Sequence, residues 1–493
     1  VITLLLACTP EPPPAAPPAA VDPFAGCPTL DWVVHLSSEL PIEVHSVEAL
    51  PGGDVVVAGR YGGSPAIGLG PDQTLQPSQD YRDGFLARLR PDGHAVWWHT
   101  IGGVSMDELP HLTWDGGDAW LFVAGRSRVI AIEPYSSLQL DRVDVVPPAP
   151  AGVSEVFWLV GFDLDGEVQV VRAVNVEHGG TGLGIAGTQD PAGNTYLAGH
   201  FRYGALSFGP WHVAPDYGDG PSQGYAFLAS WDKDGAPRWF TTLGAPEVLS
   251  ESLGLSYADG LLQWAAQVRS PEGRATATST LGPRTRIELG DQLGTILAAD
   301  AATGEVLPPR YRTNANRIYR YERQPGGALV ANGFMTNPAW WDAGGTKHEL
   351  SGIGGFAAEL APDGAIEGAV SPEDALKTFW SRTGSHRTIS TALVSGLPIA
   401  QGTPQEFLIP GTLERDAVAF VDDPSGVLEC ASWFSGPENQ DAFDAVLDDQ
   451  GGYVVVGAFE GVMTVNQPDG AVSEPFTSAG YTDGFIAHFS VPE

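Results

Sequence analysis

Two Asp-x-Asp-Gly motifs, at 163–166 and 232–235, are the first residues in this chain that suggest chemistry. Carboxylates at alternate positions can present oxygens to calcium, but such a loop needs six or more oxygens and usually a closing Glu. Neither stretch supplies them, and the same place elsewhere in the chain reads "APDG" or "AATG", so turn chemistry is the expectation. Asp107, Glu108 and His111 in "MDELPH" could make an acid–base cluster but are expected in a solvated connection. His94, His99 and His111 lack metal-ligand spacing, so no metal is expected. No Gly-x-Ser-x-Gly, phosphate loop or dinucleotide fingerprint occurs. No catalytic residue is assigned and no cofactor is expected. The remaining candidates are aromatics near acids: Asp80 and Tyr81, Tyr203, Trp211, Asp216, Tyr217 and Asp219, Trp340 and Trp341. Aromatic faces beside carboxylates suit sugar rings or protein loops. The competing reading is that these aromatics pack locally and pin long loops.

The elements that must position these residues repeat along the chain. A hydrophobic strand followed eight residues later by a turn Gly starts at Phe85, Trp158, Phe227, Ile296, Phe356 and Val418, and a seventh begins at Phe485 without reaching its turn. The intervals are 73, 69, 69, 60, 62 and 67 residues, which is the mark of fixed strands and variable loops. Upstream of each lies a second strand opened by a tight turn, as in "LPGGDVVVAGRY" and "DDQGGYVVVGAF". The copies at 259–268 and 395–402 are degenerate. A short apolar strand precedes that turn, and a strand that often holds Trp follows the "DG" turn, giving four strands per unit. Central strands such as "VVVAG" and "LFVAG" are apolar on both faces, so both faces must be buried. The fold expected is an all-β, seven-bladed β-propeller of four-stranded antiparallel blades. Unit seven lacks its Trp strand, and "TLDWVVHLSS" (29–38) is an orphan of that kind, so residues 29–38 are expected to complete the last blade.

The chain's 493 residues exceed one ordinary compact core, which a repeat architecture accommodates. A formal net charge of −35 excludes nucleic-acid binding through phosphate contacts. The start, "VITLLLACTPEPPPAAPPAAVDP", has an apolar run too short to span a bilayer. Its Leu5-Leu6-Ala7-Cys8 resembles a bacterial lipobox, which implies that Cys8 carries lipid; a chance "LLAC" is the alternative. On that reading residues 1–7 are a truncated signal segment and 8–26 an anchor Cys with a stiff Pro/Ala-rich linker. Residues 27–493 are then a single propeller domain, a monomer that meets the membrane through its anchor only. Cys27 and Cys430 remain as a disulfide in an oxidising compartment or as two buried thiols, and a clasp is geometrically conceivable if 29–38 closes the ring.

"DPAGNTYLAGHF", "DGFLARLRPDGHAVW" and "YAFLASWDKDGAPRW" resemble the SBBP-type β-propeller repeat of bacterial secreted and surface proteins. The likeness runs over about 29–490, is good in units one, three and seven, and is weak in four and six. It implies a seven-bladed ring and export, and no chemistry. "AADAATGEVL" (298–307) resembles the Trp-docking repeat of quinoprotein dehydrogenase propellers, but it lacks the Trp and is set aside.

Within each unit the first and third turns are tight, and the second connections are long (62–82, 126–154, 202–223, 269–293, 335–353, 403–414 and 460–482). Loop length therefore concentrates on one face, where the candidate aromatics lie. The function expected is a non-catalytic binding or scaffold module, lipid-anchored at the bacterial outer membrane or cell surface, presenting that face to protein or glycan. The alternatives are an envelope polysaccharide hydrolase or lyase with acids over the central channel, and a purely structural envelope component.

Overall fold

The computed structural model describes residues 26–63, 66–67, 78, 82–102, 107–114, 121–128, 138–141, 143–146, 153–177, 181–214, 224–244, 249–269, 276–279, 286–288, 293–307, 311–313, 317–323, 329–336, 339–341, 347–349, 353–360, 366–370, 377–383, 388–394, 398–399, 407–408, 416–423, 428–467 and 471–491. Among these residues there is no helix. The strands form seven antiparallel sheets of four or more strands and one two-stranded pair. Residues 1–25, with Cys8 and the linker, lie outside the described residues.

Sheets 1 to 6 use their strands in chain order, and sheet 7 takes its fourth from the start of the chain. The first strands are Ile42–Ala49, Asp107–Trp114, Thr181–Gln189, Leu249–Ala258, Arg317–Arg323, Lys377–Thr383 and Gln440–Leu447. The second are Val55–Tyr61, Leu121–Arg128, Thr195–Arg202, Leu261–Arg269, Leu329–Thr336, Thr388–Val394 and Tyr453–Phe459. The third are Asp83–Leu89, Val153–Phe162, Tyr225–Trp231, Leu293–Asp300, Ile353–Leu360, Asp416–Asp422 and Asp483–Ser490. The fourth are Ala95–Gly102, Val168–Glu177, Pro237–Gly244, Tyr311–Thr313, Ile366–Val370, Leu428–Ser435 and, for sheet 7, the N-terminal Thr29–Ser37.

Burial on both faces explains the doubly apolar second strands. Val55 and Val57 join a core with Val446, Val454 and Val456 of sheet 7, whereas Val56 and Ala58 join one with Val123 and Trp158 of sheet 2. At about 1.5–3 kcal/mol per buried aliphatic side chain, face-to-face packing between sheets is the main favourable contribution. The first strand of each sheet packs against the first strand of the next, and that of sheet 7 packs against that of sheet 1.

The N-terminal strand pairs with Asp483–Ser490, with His35 opposite Phe485 and Leu36 opposite Gly484. His35 Nε2 lies 2.7 Å from Asp483 Oδ2 across this junction, and Trp32 stacks on His488 with ring centroids 5.2 Å apart.

A second repeated contact ties neighbouring sheets and accounts for the fixed Gly. Trp32, Trp97 and Trp239 hold one register position on the fourth strands of sheets 7, 1 and 3. Each donates its indole N–H to the third turn of the following sheet: Trp32 to Pro91 O (2.7 Å), Trp97 to Leu164 O (2.9 Å) and Trp239 to Ala301 O (3.1 Å). Each ring lies against that turn's Gly. At Gly166, with φ +88°, an added Cβ would come within 2.8 Å of Trp97 Cδ2. A Gly166→Ala variant is therefore expected to lose about 2 kcal/mol from left-handed strain and the clash. In a Trp97→Ala background the same change should cost less, and a double-mutant cycle by denaturant unfolding measures that coupling.

Cys430 occupies the Trp register on the fourth strand of sheet 6. It is bonded to Cys27, which precedes the N-terminal strand, with Cα atoms 5.6 Å apart. Sheet 7 has no third turn, because its third and fourth strands come from opposite ends of the chain. The disulfide thus stands where three other seams have an indole on a turn.

Several expectations are corrected. The segment 298–307, set aside for lacking a Trp, is a dock after all, since Trp239 from the preceding sheet covers Gly304. In sheet 4 register places Thr295, not Ile296, at the repeat position, because its turn from Asp300 to Glu305 is one residue longer than Arg90–His94. The second strand of sheet 6 is Thr388–Val394 rather than 395–402, of which Pro398–Ile399 instead pairs with Phe407–Leu408. "MDELPH" is not a connection: Asp107 to His111 begin the first strand of sheet 2.

Candidate binding face

Six of the seven second connections, expected as loops, hold strands that cross to the preceding sheet and pair with its fourth strand; among the described residues that of sheet 6 pairs only with itself, Pro398–Ile399 with Phe407–Leu408. Ala205–Phe208 and Trp211–Val213 leave sheet 3 and extend sheet 2 beyond Asn175–Glu177. Leu138–Leu140 with Val143–Val146, Thr276–Ser279 with Arg286–Glu288, and Ala339–Trp341 with Lys347–Glu349 do the same on sheets 1, 4's predecessor sheet 3, and 4. Val462–Asn466 extends sheet 6, and Ala66–Ile67 extends the N-terminal strand of sheet 7. The physical reason is the unpaired edge that every fourth strand would otherwise expose. Each hairpin covers it and ties adjacent sheets together.

One latch is resolved in detail. Asp141, at the hairpin tip with φ 48°, accepts from Thr100 N at 2.9 Å and lies 2.7 Å from His99 Nδ1. His99 Nε2 is 2.8 Å from Gly166 O. His99 therefore joins latch, strand and neighbouring turn. His94 stands apart on an exposed turn, 3.3 Å from Asp92.

These latches decide what several candidate residues do. Trp211 is half-buried and stacked on Phe208, with centroids 5.6 Å apart, against the core between sheets 2 and 3. It pins the hairpin. The backbones of Trp340 and Trp341 pair with Thr313 and Arg312 in the hairpin on sheet 4. Tyr203 is 46% exposed, with φ 59°, at the bend leading into its hairpin. Asp80, Tyr81, Asp216, Tyr217 and Asp219 lie outside the described residues.

Exposed apolar residues that sequence reasoning missed add to Tyr203. Tyr481 (79% exposed) and Val472 (57%) lie in the second connection of sheet 7, and Leu40 (37%) lies between the N-terminal strand and the first strand of sheet 1. Antiparallel strands return to the same side at the second and fourth connections, so these four share one face. A Tyr in a Gly-rich loop end ("SAGYTDG") was the available signal.

The acidic motifs are structural. Asp163 Oδ1 accepts from Asp165 N and Glu167 N at 3.0 and 2.9 Å, and Asp232 Oδ1 accepts from Asp234 N and Ala236 N at 3.0 and 2.8 Å. These are Asx-type turns. Among the described residues no group of three or more His, Cys, Asp or Glu could hold a metal ion. A further buried acid recurs at the start of third strands: Asp83, Asp416 and Asp483 share one register. Asp483 accepts from Ala479 N at 2.9 Å, which fastens the incoming connection.

Burial pushes the Asp416 carboxyl up to about 6, against the lowering effect of the Gly436 N–H. Burial and the nearby charges of Asp423 and Glu429 raise Asp422 to about 6. Burial opposes ionisation of Glu43 as well, but His45 and Arg60 prevail and hold it at about 2. Asp141, Asp190 and Asp448 are also lowered, because hydrogen bonds to His99, to Asn194 and Tyr196, and to His488 outweigh burial. The signs oppose. The lowered acids contribute stability above their unfolded values and lose it as pH falls through their folded values. The raised pair destabilises the fold once ionised, so its cost grows as pH rises from about 4 to 6. The expected outcome is maximal thermal stability at about pH 4, and an Asp416→Asn variant whose alkaline limb is flatter, read by unfolding midpoint across pH 3–8.

No protein-family model and no curated protein matches the chain. Among solved structures, a protein of unknown function from Bacteroides caccae aligns over 65% of this chain and 90% of its own, at 11% identity and a TM-score of 0.25. A eukaryotic initiation factor aligns over 91% of this chain and 98% of its own, at 8% identity and a TM-score of 0.36. At those scores neither carries an argument about fold or function.

Proposed function

We propose that the seven sheets are the blades of a closed seven-bladed propeller of the SBBP type, lipid-anchored through Cys8 at a bacterial envelope. On this reading the protein is a binding module rather than an enzyme. The unbroken succession of first-strand contacts, from sheet 1 round to sheet 7 and back to sheet 1, supports the ring. The observation that carries the function is the exposure of Tyr203, Leu40, Val472 and Tyr481, all of them in second or fourth connections. Rigid latches hold that face in place, and rigid scaffolds bearing exposed aromatics suit binding of a protein loop or glycan.

The test is a screen of envelope proteins and glycans against the full chain and a Tyr203→Ser/Tyr481→Ser variant. Binding that falls at least tenfold in the variant, with an unchanged unfolding midpoint, supports this face. Binding that is untouched by both substitutions places the partner elsewhere.

A further inference from the structure

Cationic side chains are unevenly spread along this chain. All 25 Lys and Arg lie between Arg60 and Arg415, whereas residues 1–59 and 416–493 hold 21 of the 60 Asp and Glu and no Lys or Arg. Folding brings the two biased ends together, because the N-terminal strand is the fourth strand of sheet 7. The surplus of negative charge is therefore concentrated around one seam.

On the side of the second and fourth connections, four backbone segments of this region lie side by side. Glu460 N donates to Asn439 O at 2.9 Å, Ser478 N to Gly461 O at 2.7 Å, and Ile42 N to Thr482 O at 3.0 Å. Residues 437–440, 460–462, 478–482 and 38–42 thus form one band. Gly480 holds two of its segments in close contact, since a Cβ there would stand 2.8 Å from Ser38 O and 3.0 Å from Glu39 O. Ala479 N is fastened to Asp483 Oδ2, so the backbone that carries Tyr481 is pinned on both sides.

Two kinds of side chain stand on this band. Tyr481 and Leu40 are exposed apolar groups on adjoining segments, and Glu39 and Glu438 are exposed acids. Glu460 is half-buried and accepts from Asn439 Nδ2 at 3.0 Å. The band holds no Lys, Arg or His. An exposed Tyr on a pinned backbone loses little freedom on binding, and Tyr is enriched among the residues that dominate binding energy. The face of its ring attracts Lys or Arg. Carboxylates without a nearby cation repel one another over about 8 Å at physiological salt. A cationic partner relieves that repulsion and is steered toward the band by it.

We infer that this band docks a cationic segment of a partner protein, with Lys or Arg set against Glu39, Glu438 and the Tyr481 ring and an apolar residue set against Leu40. The inference rests on the binding-module reading and narrows its partner to a basic protein. A neutral glycan, or a second copy of this acidic chain, lacks the charge that the band selects.

The experiment follows fluorescence anisotropy of labelled eight-residue peptides with the full chain. One peptide alternates Arg with Leu, the other alternates Glu with Leu, and spermine is added as a competitor. The Arg peptide should bind at least tenfold tighter than the Glu peptide and than spermine, and more weakly as salt is raised. Glu39→Gln/Glu438→Gln and Tyr481→Ser should each weaken it at least tenfold. Asp165→Asn/Asp234→Asn removes the same charge from exposed third turns on the opposite side and should leave the affinity within twofold. Slowed hydrogen exchange at 38–42 and 478–482 of the unaltered chain locates the peptide if a variant fails to fold. Equal affinity for the Glu peptide or for spermine, an equal loss in Asp165→Asn/Asp234→Asn, protection confined to other segments, or no binding overturns the inference. In the envelope screen, a neutral or acidic partner lost from the Tyr203→Ser/Tyr481→Ser variant would overturn the cationic segment while keeping the binding module.

Discussion

Removal of residues 1–38 is expected to abolish the folded monomer. Without Thr29–Ser37, Asp483–Ser490 becomes an open edge, and buried Val34 and Leu36 are lost. The pairing spans Leu36–Gly484 to Thr29–Ser490, and at about 1 kcal/mol per hydrogen bond with about 2 kcal/mol for each aliphatic side chain the loss approaches 10 kcal/mol. That is comparable to the whole stability of many domains, about 5–15 kcal/mol. The truncated chain should elute as oligomers or aggregate through its open edge. A peptide of residues 26–40 added in excess should restore monomer. A truncated chain that is monomeric, with an unchanged unfolding midpoint, would show that the N-terminal strand contributes nothing to the stability of sheet 7.

Reduction of the Cys27–Cys430 disulfide should produce the second-largest effect. The bond spans 403 residues, so in the chain-entropy treatment it restricts the unfolded ensemble by about 6 kcal/mol at 25 °C. Native contacts around it remain, since Cys27 and Cys430 belong to the core with Tyr453, Phe485 and Phe489. For a chain of this length, with about 2.1 cal/mol/K of unfolding entropy per residue, the midpoint should fall by about 6 °C. Cys27→Ser/Cys430→Ser should match the reduced protein, and reductant should then have no further effect. A midpoint insensitive to reductant would mean that the N-terminal strand alone holds the seam.

The repeat was legible because it arises from local constraints. A strand buried on both faces must be apolar throughout, as Val55–Val57 is, and a left-handed turn position demands Gly, as at Gly93 and Gly166. The orphan strand at 29–38 was legible for the same reason, since it carries the Trp pattern of fourth strands without a hairpin partner. The candidate face was legible only in part. Tyr203 is exposed as expected, whereas Trp211 is packed, because its connection folds as a hairpin on another sheet's edge. A two- to four-residue strand leaves too short a pattern to reveal its partner.

By itself, then, the sequence determined the all-β class, the strand order within each unit, the turn role of the Asp-Gly motifs, and the surplus of negative charge. Each depends on neighbours within about ten residues or on composition. Tertiary structure alone decided that Trp239 docks on the turn at Gly304, that six of the second connections latch the preceding sheet, and that Cys430 meets Cys27. These contacts join residues of different units, and a chain's local pattern records which faces must be covered but not which distant segment covers them.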